Sequence, residues 1–120
     1  MSRFYGMNVK IENYNDENEQ AVMAAATEEW GFCEWHSQEG TRVLEAYEEN
    51  HLSGGETEEE FTDRLTAAIW QANRAFCKVT VNATCLEDLP SEEHVREKPQ
   101  YELWLSGRLP GAENDHAHLH

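Results

Sequence analysis

Three cysteines, six histidines and 24 carboxylate side chains are the groups in this 120-residue chain that could ligate a metal, attack a substrate or move a proton. Cys33 and His36 have the spacing of half a zinc site, but in an extended segment residues three apart point to opposite faces, so no metal is expected there. His116, His118 and His120 alternate near the carboxyl end, where such a cluster captures transition metals only loosely and reads as an adventitious tail. Cys77 and Cys85 lie eight residues apart on one parity, about 26 Å in a strand, whereas a disulfide needs Cα atoms within about 7 Å. Both read as small buried hydrophobes. No Gly-x-Ser-x-Gly elbow, phosphate-cradling glycine loop or dinucleotide fingerprint occurs. The paired carboxylates Glu48-Glu49, Glu58-Glu59-Glu60 and Glu92-Glu93 sit in polar runs that read as solvated faces. The expectation is therefore no catalytic residue, no metal, no cofactor and no enzymatic activity.

Two features stand out from that background. The first is the placement of charge: 24 acidic against nine basic residues gives a net charge of −15, and the segment from Glu12 to Glu60 holds fifteen acids and the single base Arg42. A chain so acidic does not bind a nucleic-acid backbone directly, because that affinity comes from basic side chains displacing counterions. Concentrated in one segment, the charge makes a negative field suited to a basic protein partner. Glu12, Asp16, Glu17, Glu19, Glu28 and Glu29 are the leading contacts, with Glu45, Glu48 and Glu49 next. The second feature is Trp70, which falls on the helical side opposite the apolar stripe described below, among Asp63, Thr66 and Arg74. It reads either as covered by another element or as an exposed interface anchor, and is carried as a partner-binding residue.

The elements that must position these groups follow from periodicity. Tyr5 to Glu12 alternates strictly, a half-buried strand. Asp16 and Glu19 have capping-box spacing ahead of an Ala-rich run that ends at Gly31, predicting a helix from about Glu17 to Trp30. Cys33 to Ser37 reads as a short strand turning at Glu39-Gly40. Thr41 to Leu52 fits strand or helix and is taken as a strand, since the short connection suits a hairpin. After Ser53-Gly54-Gly55, a capping box at Thr57 and Glu60 opens a helix whose Phe61, Leu65, Ala68, Ile69, Ala72, Ala75 and Phe76 share one stripe. Cys77 to Leu86 switches to period two, a strand with its odd positions inward; Leu89 to Pro99 reads as a loop, and Tyr101, Leu103 and Leu105 as a last strand.

The sum is an α+β domain over residues 1–109, an antiparallel sheet with two helices on one face in ferredoxin-like βαββαβ order plus one C-terminal strand, followed by a flexible His-containing tail over 110–120. At 39% hydrophobic residues the chain carries enough apolar material for a globule. Met1 to Gly6 has no apolar run behind it and does not read as a signal peptide, no stretch reaches the length of a membrane helix, and the three cysteines lack a disulfide spacing. A cytoplasmic location, without membrane contact, is expected.

Gly54 to Phe61, Ala68 to Asn73, Val79 to Thr84 and the following Leu86-Glu87-Asp88-Leu89-Pro90 resemble a block found in uncharacterised proteins of bacterial plasmids and integrative mobile elements. The resemblance covers roughly a third of the chain, leaves out the first fifty residues, and implies a bacterial mobile-element origin without a known activity. With the charge pattern it frames the functional expectation: a non-catalytic acidic protein whose first half engages a basic host protein, one that itself handles nucleic acid, by imitating a line of phosphates. The alternative is a small self-associating accessory domain, a homodimer built through a sheet edge or the Trp70 face.

Overall fold

The computed structural model describes residues 3–37, 40–52, 55–86 and 91–107. Strict alternation makes β1 (Arg3–Glu12) the central strand, with Tyr5, Met7, Val9 and Ile11 all buried on one face. A short 3₁₀ helix at Asp16–Asn18 leads into α1 (Glu19–Trp30), which stops at Gly31 in the left-handed conformation, φ 84°. β2 (Trp35–Ser37) and β3 (Val43–Leu52) form the next antiparallel pair. Then follow α2 (Glu58–Asn73), β4 (Lys78–Cys85), β5 (Ser91–Arg96) and α3 (Lys98–Leu105). The five strands pair antiparallel in the order β2-β3-β1-β4-β5. Among the described residues no helix is long and apolar enough to cross a membrane.

Both long helices pack on the face carrying the odd positions of β1, where Val22, Ala26 and Trp30 of α1 and Phe61, Leu65 and Ile69 of α2 close the core over Val79 and Val81 of β4. α1 lies toward the β2-β3 side, since the Trp30 indole donates to the Glu48 carbonyl of β3 at 2.8 Å and the Trp35 indole of β2 donates to Thr27 at 3.3 Å. α2 lies toward β4 and β5. The expected capping box at Thr57 and Glu60 is present, Glu60 N–H donating to Thr57 Oγ1 at 3.0 Å and Thr57 N–H to Glu60 Oε1 at 2.9 Å.

The α+β class, the antiparallel sheet and the β-α-β-β-α-β succession of the first six elements stand as the sequence implies, and the ambiguous fourth segment is a strand. The C-terminal third differs. Residues 91–96 are a strand where a loop was expected, because its inward positions are the ionic His94 and Arg96 and its one aliphatic residue, Val95, is on the other parity. Residues 98–105 are a helix where a strand was expected: Glu97 and Gln100 form a capping box, and Pro99 sits in the first turn, where a missing N–H costs nothing. The sheet thus gains its fifth strand ten residues earlier than predicted, and a third helix joins the two foreseen. Further corrections are local. Asn15 and Asn18, not Asp16, occupy the caps ahead of α1, so the Asp16–Glu19 box does not form. β2 begins at Trp35, leaving Cys33 exposed outside it. Cys77 is buried just before β4, whereas Cys85 at its end is only half-buried. The expected tail over 110–120, with His116, His118 and His120, lies outside the described residues.

Candidate functional site

The expected partner contacts occupy four places. Asp16, Glu17 and Glu19 gather at the amino end of α1, with Asp16 and Glu17 exposed; Glu28 and Glu29 lie at its carboxyl end, ten residues or about 15 Å further along the axis. Glu12, Glu45 and Glu49 fall on the sheet face that no helix of the described residues covers, where Glu45 pairs across from Lys10 and Glu49 accepts from the Tyr47 hydroxyl at 3.0 Å. Glu48 takes the opposite parity of β3, beside Trp30. Alanines separate the two ends of α1, so these carboxylates form separate groups and not one continuous line. Six of them, Glu19, Glu28, Glu29, Glu45, Glu48 and Glu49, nevertheless belong to two neighbouring elements, α1 and β3.

Trp70 takes the covered one of its two readings, and its place among the partner-binding residues is corrected. Its side chain is fully buried, its indole donates to the Cys77 carbonyl at 2.7 Å, and its ring packs against Phe76, Tyr101 and Trp104 with centroids 6.3, 5.1 and 5.6 Å away. The covering element is α3, the segment taken for a strand. It is not an interface anchor.

At the carboxyl end of α1 an open cleft of about 680 Å³ is lined by Thr27, Glu28, Glu29, Asn50, Glu56 and Arg64, among others. Arg64 spans it, donating to Glu56 through Nε and Nη2, each at 3.0 Å, and to Glu29 through Nη1. Burial alone would depress the guanidinium, but its hydrogen bonds to Glu56 and Glu29 and their charges hold its pKa above the usual value. The half-buried cation is committed to these two carboxylates.

The most concentrated chemistry was not foreseen. His94 of β5, 7% exposed, places Nδ1 2.7 Å from Glu59 Oε2 and Nε2 2.8 Å from Glu58 Oε1. Glu58 Oε2 in turn accepts from the Tyr5 hydroxyl at 2.7 Å. Arg96, two residues on and therefore on the same face, donates to Glu59 Oε1 at 2.6 Å and to the buried Asp63 at 2.8 Å. Burial opposes charge on His94, yet the hydrogen bonds and charges of Glu58 and Glu59 outweigh it and hold the imidazole above its ordinary pKa. Glu59 is pushed up by burial but pulled further down by His94 and Arg96, ending below the usual carboxylate value. For Asp63 burial wins over Arg96 and the pKa is raised. Both ring nitrogens of His94 face carboxylates, so neither stands ready to take a proton from a nucleophile. Glu92, exposed on the same parity of β5, brings its carboxylate alongside Glu58 and His94, the three donor atoms lying within 4.8 Å of one another.

The sequence signal for this cluster was the parity of Glu92, His94 and Arg96, masked because the segment was assigned to a loop. Its other half, Glu58, Glu59 and Asp63, reads as a solvated acidic turn until β5 is laid against it. No family model matches the chain, and no match was found among curated proteins or among solved structures.

Proposed function

We propose that the chain is a non-catalytic binding protein of bacterial mobile-element origin, acting in the cytoplasm, whose acidic half occupies a basic surface of a host protein that otherwise holds nucleic acid. One observation supports the reading: α1 and β3, which carry six of the nine acidic contacts, are neighbours in space, joined by the Trp30 indole on the Glu48 carbonyl and the Asn50 side chain on the Trp30 carbonyl. Arg64, beside the carboxyl end of α1, is tied to Glu29 and Glu56. Exposed carboxylates at Asp16, Glu17, Glu28, Glu34 and Glu49 meet solvent. They form separate groups, so the mimicry is of a phosphate field and not of a regular phosphate row.

Self-association is the weaker alternative. Its Trp70 route is closed by α3, and both sheet edges are poor templates: β2 has three residues, and β5 carries Glu92 and Glu93. The proposed function is tested by capturing partners from a bacterial lysate at low and high salt and assaying the captured protein for DNA binding. Retention at low salt, loss at high salt and displacement of DNA from the partner are expected. Partners that bind the chain and DNA simultaneously would overturn the reading.

A further inference from the structure

Apart from the expected partner contacts, the cluster between α2 and β5 has the parts of a metal centre. His94 is a single imidazole held between carboxylates, with Glu58 and Glu92 converging on one side and Glu59 on the other. We propose that His94 Nε2, Glu58 and Glu92 bind a divalent first-row transition ion, with Zn²⁺ the best fit, and leave one coordination position open to water.

Three arguments support the assignment. The first is distance. A tetrahedral ion bound at about 2.1 Å holds its donors roughly 3.4 Å apart. The three donor atoms here lie within 4.8 Å of one another, and only the Nε2 to Oε1 contact, now 2.8 Å, must open slightly. Glu92 is exposed and makes no hydrogen bond or ion pair among the described residues, so it can swing to meet the ion.

The second argument is the outer shell. A metal-bound histidine characteristically donates its other ring N–H to a carboxylate, which fixes the ring and the tautomer. Glu59 stands 2.7 Å from Nδ1 in that role, and is itself clamped by Arg96 at 2.6 Å. The Tyr5 hydroxyl holds the second oxygen of Glu58 at 2.7 Å, leaving Oε1 for the ion.

The third is charge. Glu58, Glu59, Asp63 and Glu92 surround one guanidinium and one imidazole, and even an imidazolium leaves the group net negative. A dication between His94, Glu58 and Glu92 compensates that excess where a proton on Nε2 does so only in part. One imidazole with two carboxylates suits Zn²⁺ or a neighbouring transition ion better than Mg²⁺ or Ca²⁺, which take oxygen donors.

The test is Zn²⁺ titration by calorimetry on the full chain carrying His116→Ala, His118→Ala and His120→Ala, so that the terminal histidines cannot contribute. One ion per chain is expected. Glu92→Gln removes an exposed ligand with no structural partner and should weaken binding at least tenfold while leaving the unfolding midpoint of the metal-free chain unchanged. His94→Gln should abolish the site, and Glu59→Gln, a positioning residue, should cost about 10- to 100-fold. Co²⁺ in place of Zn²⁺ should give the visible absorption of a four- or five-coordinate ion, lost in Glu92→Gln. Failure of the chain to bind Zn²⁺ one-to-one, or equal binding by the parent and Glu92→Gln, would show that the cluster is an ion-pair network and overturn the proposal.

Discussion

Replacing Trp70 by alanine should destabilise the fold by about 4 kcal/mol, the cost of emptying a tryptophan-sized core position. The side chain is fully buried, and three aromatic rings of the α2–β4 connection and α3 surround it. Its indole also satisfies the Cys77 carbonyl at 2.7 Å, an acceptor that alanine would leave unpaired. An unfolding entropy of about 2.1 cal/mol/K per residue gives ~0.25 kcal/mol/K for this chain of 120 residues, so 4 kcal/mol corresponds to a fall of about 16 °C in Tm. Trp70→Phe keeps most of the ring contacts and loses the hydrogen bond; about 2 kcal/mol, or ~8 °C, is expected. Thermal unfolding followed by circular dichroism, with urea titration as a second measure, reads both. An interface anchor would behave otherwise, its removal leaving the isolated chain within about 0.5 kcal/mol of the parent. A Trp70→Ala chain of parental stability would therefore refute the packing of α3 over α2.

Thr66 Oγ1 is buried without a hydrogen-bond partner among the described residues, so the near-isosteric Thr66→Val should stabilise the chain by about 1 kcal/mol, read as a higher urea midpoint at unchanged m-value. Asp63→Ala leaves the buried Arg96 with the exposed Glu59 as its one carboxylate partner among the described residues and should cost about 3 kcal/mol in the same assay. Gly31→Ala places a side chain at φ 84° with no close atom in its way, a purely conformational cost of about 1 to 2 kcal/mol. Burial pushes the Cys77 thiol up to about 12, so thiol reagents should modify exposed Cys33 first and Cys77 only after unfolding. Because the folded value is the raised one, Cys77 contributes stability that is fully present below its ordinary value of 9.0 and lost as pH rises toward about 12. The stability difference between the chain and Cys77→Ala should narrow over that interval and stay constant below it.

The parts of the fold legible in the sequence are those where one apolar face meets one polar face. β1 alternates without exception, and its inward residues are the ones buried. α2 is announced by its capping box, yet its orientation was misread: Thr62, Thr66, Ile69 and Asn73 make a fully buried line, three of them polar. Thr62 satisfies its hydroxyl on the Glu58 carbonyl, and Asn73 accepts from Asn15 N–H and donates to the Ala75 carbonyl. Hydrophobicity therefore centred the stripe on Leu65, Ala68 and Ala72 and left Trp70 facing outward. The same cause hid β5, whose inner residues are ionic and buried only by pairing with α2. Without β5 the cluster around His94 had no second half. α3 was lost to the alternation of Tyr101, Leu103 and Leu105, although Tyr101 and Trp104 are also one helical turn apart and both pack on Trp70.

The central claim is that a localised acidic surface, not net charge, selects the partner, and a matched pair of charge reversals tests it most directly. Asp16→Lys with Glu17→Lys alters the amino end of α1, while Glu93→Lys with Glu102→Lys alters exposed positions of β5 and α3; each pair raises the net charge by four. Retention of lysate proteins at low salt is then quantified for the parent and both variants. The first pair should release the basic partner and the second should retain it at near-parental levels. Equal retention by both variants, or equal loss, would contradict the assignment of binding to the acidic half.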